Sequence, residues 1–137
     1  MSLWLLDASV LLASEDADDE HHDDAVRLLV GEDPLATLDL ALYEVAHVAV
    51  RAWADATAAD RLLERVVALA DDGGLVRADA ELLGRAAALA GETGLSVYDA
   101  AYVAAADRVG GRLVSCDVRD LVSRGHAVRP ADARPDR

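Results

Sequence analysis

The sequence lacks lysine and phenylalanine, and it contains one cysteine, Cys116. Without lysine, the chain cannot use the phosphate-binding lysine of a P-loop ATPase. A single cysteine excludes an internal disulfide and a zinc site built from several cysteines. The acidic residues are therefore the most prominent candidates for chemistry in this chain.

Long hydrophobic runs are also missing, although 53% of the residues are hydrophobic. Charged residues recur too often for a membrane span, which needs roughly 18 consecutive apolar residues. The N-terminal segment has no basic region and turns acidic at once, which does not fit a secretory signal peptide. We therefore expect one cytoplasmic domain over residues 1–137, with a core of Ala, Val and Leu and a frayed tail from about residue 131.

Positive charge is scarce. The 13 basic residues are all arginines, against 26 acidic residues, and the formal net charge is −13. Such a charge argues against general coating of nucleic acid through counterion release, although it does not forbid a contact bridged by a metal ion. It favours a basic protein partner.

Short apolar segments alternate with longer helical patterns along the chain. This alternation predicts an α/β fold with a mostly parallel, roughly five-stranded sheet flanked by helices. One helix, over Asp39–Ala54, is apolar nearly all round and is predicted to be buried. Glu15–Asp24 is predicted to be an acidic loop. The predicted strands are Leu3–Leu6, Leu35–Thr37, Leu75–Arg77, Arg112–Ser115 and Ala127–Arg129.

Four acidic residues lie where such segments meet turns or helices: Asp7, Glu44, Asp99 and Asp117. Asp7 and Asp117 come just after predicted strands, and parallel α/β sheets place ligand sites outside the carboxyl ends of their strands. Two carboxylates about 5 Å apart repel by roughly 3 kcal/mol at an effective dielectric of about 20. A cluster of them therefore needs a cation, and all-oxygen ligands select Mg²⁺ or Mn²⁺ over zinc.

Each of these residues also has a purely structural interpretation. Asp7 and Asp117 fit helix caps, and Ser96 with Asp99 fits a capping box. Glu44 needs no cap because it lies in the middle of a helix, but it could pair with His47 one turn later. Burying its ionised carboxylate without any partner would be costly.

With these residues in place, the chain resembles the PIN-domain ribonucleases, and among them the VapC-type toxins of toxin–antitoxin pairs. The similarity runs from Leu5 to about Pro130 and rests on four motifs in order: LLDASVLLA, LALYEVAHVAVR, LSVYDAAYVAAA and RLVSCDVRDL. It implies a three-layer sandwich and an endoribonuclease that hydrolyses RNA phosphodiester bonds. The implied metal-binding and catalytic quartet is Asp7, Glu44, Asp99 and Asp117, with Mg²⁺ or Mn²⁺ held most directly by Asp7 and Asp99.

The resemblance also implies supporting residues and partners. Ser9, Ser115 and Asp120 occupy positions that assist the quartet, and Arg119 and Arg124 could contact RNA phosphates. The implied partners are a second copy of the chain and an antitoxin with a basic, arginine-containing segment. Two alternatives stay open from the residues alone: a non-catalytic module whose acidic cleft captures a basic protein, and a metal-dependent phosphohydrolase of a related α/β fold. The missing lysine argues against the latter.

Overall fold

The structure, a computed structural model, describes residues 2–135. Four β-strands and six α-helices alternate along this part of the chain, followed by a π-helical turn at Val118–Val122 and a 3-10 helix at Pro130–Asp132. The strands are β1 (Trp4–Leu6), β2 (Leu35–Leu38), β3 (Leu75–Val76) and β4 (Arg112–Val114). The helices are α1 (Ala8–Glu15), α2 (His22–Val30), α3 (Leu40–Arg51), α4 (Ala56–Asp71), α5 (Ala80–Thr93) and α6 (Val97–Val109).

The strands form one parallel sheet in the order β3-β2-β1-β4. In the central strand, Leu5 lies opposite Ala36 on one side and Leu113 on the other. Leu5 and Leu6 are both fully buried, as the continuous apolar runs of parallel strands require when helices cover both faces of a sheet. Helix α6 packs on β1, β2 and β4, and α4 packs on β2 and β3. The predicted α/β fold is confirmed.

Capping aspartates explain where several helices begin. The carboxylates of Asp55 and Asp79 accept hydrogen bonds from the backbone N–H groups of Ala58 and Leu82, at 3.0 and 2.8 Å. These bonds satisfy N–H groups that have no partner within the helix. Part of the excess of acidic residues is therefore structural. None of the helices in residues 2–135 combines the length and apolar composition that a membrane span requires.

The fifth predicted strand, Ala127–Arg129, is reduced to one parallel bridge between Val128 and Val114. Pro130 follows immediately and begins a 3-10 helix. Proline has no N–H group to donate to a ladder, so the pairing cannot continue past Arg129.

The prediction of a frayed tail from residue 131 is wrong for the residues described. Ala133 is fully buried, and the Arg27 guanidinium donates to the carbonyl oxygens of Pro130 and Ala133, at 2.8 and 3.3 Å. The chain therefore stays packed against α2 beyond residue 130. Residues 136 and 137 lie outside the described residues.

The expectation of a helix at 39–54 buried on all sides is also wrong. Helix α3 spans Leu40–Arg51 and buries only Ala41, Val45 and Ala49, which recur every four residues along one narrow stripe. Tyr43 is 78% exposed and Val50 is 47% exposed. The outer face of α3 is apolar but uncovered.

The acidic loop is shorter than predicted, because Glu15 ends α1 and His22–Asp24 begin α2. Glu15 accepts hydrogen bonds from Arg61 and Arg65 of α4, the second at 2.6 Å. Burial raises the pKa of Glu15, but the two arginines together outweigh it and leave the pKa below its usual value. The ion pairs fasten α1 to α4.

Candidate active site

The four acidic residues are related through Asp99, whose charge or theirs shifts a pKa in each pair, and Asp7 marks the carboxyl end of β1. β2 and β4 lie on opposite sides of β1. The first connections therefore build the sheet in one direction from β1, and the last connection crosses back to its other side. Such a reversal opens a crevice in parallel sheets. Asp7 follows β1 directly, and its backbone N–H donates to the carbonyl oxygen of Val114 in β4, at 3.2 Å.

Asp7 is almost completely buried, with 6% of its surface exposed. One carboxylate oxygen, Oδ1, accepts hydrogen bonds from the Ser9 hydroxyl and, at 3.3 Å, from the backbone N–H of Val10. Burial raises the pKa of Asp7 to about 6, the hydroxyls of Ser115 and Ser9 oppose that rise, and the nearby Asp99 charge adds to it. Asp7 is both the cap of α1 and a carboxylate held in a crevice.

Ser9 and Ser115, the two predicted supporting hydroxyls, join the loops that follow β1 and β4. Ser9 Oγ accepts a hydrogen bond from the backbone N–H of Cys116 at 2.9 Å. Ser115 Oγ accepts one from the backbone N–H of Asp117 at 3.0 Å. The two hydroxyl oxygens lie 3.5 Å apart. They therefore hold Asp7 and Asp117 on one side of the crevice.

Glu44 reaches the same crevice from the middle of α3. Its Oε1 atom accepts a hydrogen bond from the Tyr102 hydroxyl at 2.6 Å, and no hydrogen bond to His47 is found within residues 2–135. Burial raises the pKa of Glu44, the Tyr102 hydroxyl lowers it, and the Asp99 charge raises it further. The partner of Glu44 thus comes from α6 and not from its own helix.

Asp99 lies in the first turn of α6, which Ser96 caps through a hydrogen bond from the Asp99 backbone N–H at 3.0 Å. Burial raises the pKa of Asp99, and the charges of Asp117 and Asp120 raise it further. Asp117 caps the π-helical turn by accepting from the backbone N–H of Asp120 at 3.0 Å. The charge of Asp99 raises the pKa values of Asp7 and Glu44. The charges of Asp117 and Asp120 in turn raise the pKa of Asp99.

The donor chemistry of this crevice fits Mg²⁺ or Mn²⁺, because the ligands on offer are carboxylate oxygens. Three of the four carboxyl groups have raised pKa values, which is what a nearby cation would reverse. The carboxylate groups nevertheless lie apart from one another. Within residues 2–135, no three His, Cys, Asp or Glu side chains already lie close enough together to enclose a metal ion. The residues therefore fit the ion in chemistry, and their carboxylates would have to draw together around it.

The two arginines singled out as RNA contacts differ in their surroundings. Arg119 extends from the π-helical turn with 95% of its side chain exposed, and its nearest ion-pair partner, Asp120, is 4.0 Å away. Arg124 instead donates to the backbone carbonyl of Thr93 at the end of α5. Only Arg119 extends freely towards solvent.

Sequence reasoning missed Tyr102. Its position three residues after Asp99 was visible in the segment YDAAY, and alanines surround it on α6. A tyrosine on a face of buried alanines has a hydroxyl that needs a partner. That requirement could have linked it to Glu44.

Known proteins match this chain over most of its length. The PIN domain family model matches residues 4–124. A relative named ribonuclease VapC3, from Pyrobaculum aerophilum, is 38% identical over 117 residues, covering 82% of this chain and 88% of the relative.

Solved structures share the fold. The crystal structure of PAE2754 from Pyrobaculum aerophilum superposes with a TM-score of 0.68 and 28% identity, covering 95% of this chain and 85% of that one. A toxin–antitoxin complex from Klebsiella pneumoniae contains a chain with a TM-score of 0.67 and 17% identity, covering 92% of this chain and 96% of that one.

Proposed function

This chain belongs to the PIN domain family, and from that premise we propose that it is a metal-dependent endoribonuclease acting as the toxin of a toxin–antitoxin pair. The observation that carries the proposal is the position of Asp99, whose electrostatic neighbours are the other three carboxylates of the quartet. Isolated helix caps would not need to share one crevice. The relative named as a ribonuclease supports the same activity.

Each side chain has a role in this proposal. Asp7 and Asp99 are the most direct metal ligands, and Glu44 and Asp117 complete the acidic set. Ser9 holds Asp7 in place through a hydrogen bond, and Ser115 holds Asp117 by accepting from its backbone N–H. When bound, Mg²⁺ or Mn²⁺ lowers the pKa of a water molecule and stabilises negative charge on the phosphate.

The surroundings of the crevice supply contacts for the RNA. Asp120 lies beside Asp99 and adds negative charge near the proposed ion. The exposed guanidinium of Arg119 can contact a phosphate next to the one that is cut, and Arg124 can do so if it releases Thr93. An arginine donates two parallel hydrogen bonds to a phosphate, which fixes orientation as well as charge.

The activity test uses two aspartates of the same helix. We expect purified protein to cut RNA with Mg²⁺ or Mn²⁺ and not with EDTA. Asp99→Asn should lower the rate at least ~100-fold, because loss of a metal ligand would weaken binding of the ion that activates the water. Asp107→Asn is the matched control, since Asp107 is 67% exposed near the other end of α6, and it should cut at the wild-type rate.

Two outcomes would contradict the proposal. Cleavage that persists in Asp99→Asn would show that the acidic crevice is not the active site. Absence of cleavage with any divalent metal and any RNA tested would favour the non-catalytic alternative, a cleft that only binds a basic protein.

The proposed protein partner is an antitoxin with a basic segment whose arginine enters the acidic crevice. The net charge of −13 supports this, and a chain of the same fold is found in the toxin–antitoxin complex from Klebsiella pneumoniae. An arginine-containing peptide should bind in a salt-sensitive manner, because screening weakens attraction between charges. An affinity that does not change between low and high salt would contradict this electrostatic account.

A homodimer completes the proposal, and the uncovered face of α3 supports it. Tyr43 on α3 and Tyr98 on α6 are 78% and 64% exposed. With Leu40, His47 and Val48 they line a groove of about 650 Å³ that also reaches Glu44. Exposed apolar surface of this kind is typical of an interface with another protein.

A further inference from the structure

We infer that Tyr102 is a positioning residue that aims the Glu44 carboxylate into the acidic crevice. The inference deepens the proposed function and rests on it, because the orientation of Glu44 matters only if the crevice holds a metal ion. Tyr102 itself touches neither metal nor RNA in this role. It acts through Glu44.

The first support is geometric. The Tyr102 side chain is 2% exposed, and its hydroxyl donates to Glu44 Oε1 at 2.6 Å. The two residues are 58 positions apart in sequence, so this contact fixes the distance between α3 and α6 at the crevice. The backbone of Ala8, the residue after Asp7, is near enough to this hydroxyl to lower the pKa of Tyr102 slightly. Tyr102 thus lies where three segments of the site meet.

The second support is chemical. A tyrosine hydroxyl has one proton to donate, and an ionised carboxylate is a strong acceptor for it. Burial and the neighbouring Glu44 charge raise the pKa of Tyr102 far above its usual value, so the hydroxyl stays protonated and remains a donor. One oxygen of Glu44 is therefore committed to Tyr102. The other oxygen is available to a cation.

The third support is the kind of donor. Ser9 holds Asp7 through a hydroxyl, and Tyr102 holds Glu44 in the same manner. A neutral donor orients a carboxylate without cancelling its charge, whereas an arginine or lysine would compete with the metal ion. The crevice therefore keeps its negative charge while two of its carboxylates are fixed in place.

If Tyr102 only filled space in the core, its aromatic ring would be sufficient and its hydroxyl would not be needed. Phenylalanine has nearly the same shape and would fill the same space among the alanines of α6, so Tyr102→Phe removes only the hydroxyl. The matched control is Tyr98→Phe, which makes the same change on the same helix at an exposed side chain.

The test measures Mn²⁺ binding to the RNA-free protein by isothermal titration calorimetry. We expect Tyr102→Phe to weaken Mn²⁺ binding about tenfold, since loss of a partner that orients a metal ligand typically costs 10–100-fold in metal affinity. Tyr98→Phe should bind as the wild type does. In a Glu44→Gln background, Tyr102→Phe should have no further effect, because the effect acts through the Glu44 carboxylate.

Each outcome decides the inference. If Glu44→Gln weakens Mn²⁺ binding and Tyr102→Phe does not, the positioning role is wrong while the proposed function stands. If the wild type binds neither Mn²⁺ nor Mg²⁺, the metal site is wrong, and with it both the inference and the proposed function. Should Tyr102→Phe fail to fold, Glu44→Asp withdraws the carboxylate from an intact Tyr102 and should weaken Mn²⁺ binding by a similar factor. Wild-type affinity in Glu44→Asp would then overturn the inference.

Discussion

Asp7 shows how one side chain serves structure and chemistry together. The same Oδ1 atom that caps α1 also accepts from Ser9, and burial raises the pKa of the group. Asp117 combines a cap with a place in the crevice in the same way. The cap interpretation and the site interpretation are therefore compatible, because a cap fixes the position of the carboxylate and leaves lone pairs for another ligand.

Replacing Asp7 by Asn should stabilise the metal-free protein at neutral pH. A native pKa raised from 3.8 to about 6 means that the folded state retains a proton that the unfolded state has lost. The contribution of Asp7 to stability is therefore fully present below pH 3.8 and is lost as the pH rises to about 6. The loss is at most about 3 kcal/mol, since each unit of pKa shift corresponds to about 1.4 kcal/mol.

Urea unfolding in EDTA measures this effect. Asp7→Asn should be more stable than the wild type at pH 7.5, by about 1–3 kcal/mol, and nearly equal to it at pH 4. In a second series without EDTA, added Mn²⁺ should stabilise the wild type and not the variant. Equal stability of the two proteins at pH 7.5 would show that Asp7 carries no unfavourable charge.

At the scale of elements, the connection between α4 and β3 has almost no spare room. The carbonyl oxygen of Gly74 accepts a hydrogen bond from the Thr37 N–H at 2.8 Å, and the Gly74 N–H donates one to the carbonyl oxygen of Leu69 at 2.7 Å. A methyl group at Gly74 would overlap the carbonyl oxygen of Leu35 and lie 3.1 Å from that of Leu69. The close approach of β3 to β2 therefore depends on a glycine here.

Gly74→Ala should lower the free energy of unfolding by about 2 kcal/mol or more, because rigid backbone atoms have to move. Gly84→Ala is the matched control. Gly84 lies in α5 with nothing within 4 Å of an added methyl group, so alanine should stabilise the protein by ~0.5–1 kcal/mol. Chemical unfolding of both variants measures the contrast, and two variants of equal stability would contradict the packing described.

At the scale of the whole molecule, negative charge and an uncovered apolar face occur together. The face formed by α3 and the start of α6 lies beside the crevice, since Glu44 belongs to both. A second copy covering this face would place two acidic crevices near one interface. Dimerisation would then influence access of RNA to each site.

Tyr43→Glu should therefore convert a dimer to a monomer, because it introduces a charge into an apolar contact. Size-exclusion chromatography with light scattering measures the mass. Val30→Glu is the control, since Val30 is 77% exposed on α2 and its replacement should leave the dimer intact. A wild-type protein that stays monomeric at high concentration, or a Tyr43→Glu variant that stays dimeric, would contradict the proposed interface.

Local features could be predicted from sequence because their causes are local. Apolar runs next to turn residues placed the four strands, and Ser96 marked the start of α6 because its side chain caps a backbone group three residues on. The grouping of Asp7 with Asp117 followed from parallel strands, whose carboxyl ends share one edge of the sheet.

Contacts between distant segments required the folded chain. The hydroxyl that meets Glu44 comes from Tyr102, 58 positions away, whereas helical spacing alone suggested His47. The exposure of one face of α3 depends on which elements pack against the helix, and the apolar composition of the helix does not reveal those elements. Pro130 was visible in the sequence, but the packing of Ala133 against α2 was not, because burial depends on what the rest of the molecule places nearby.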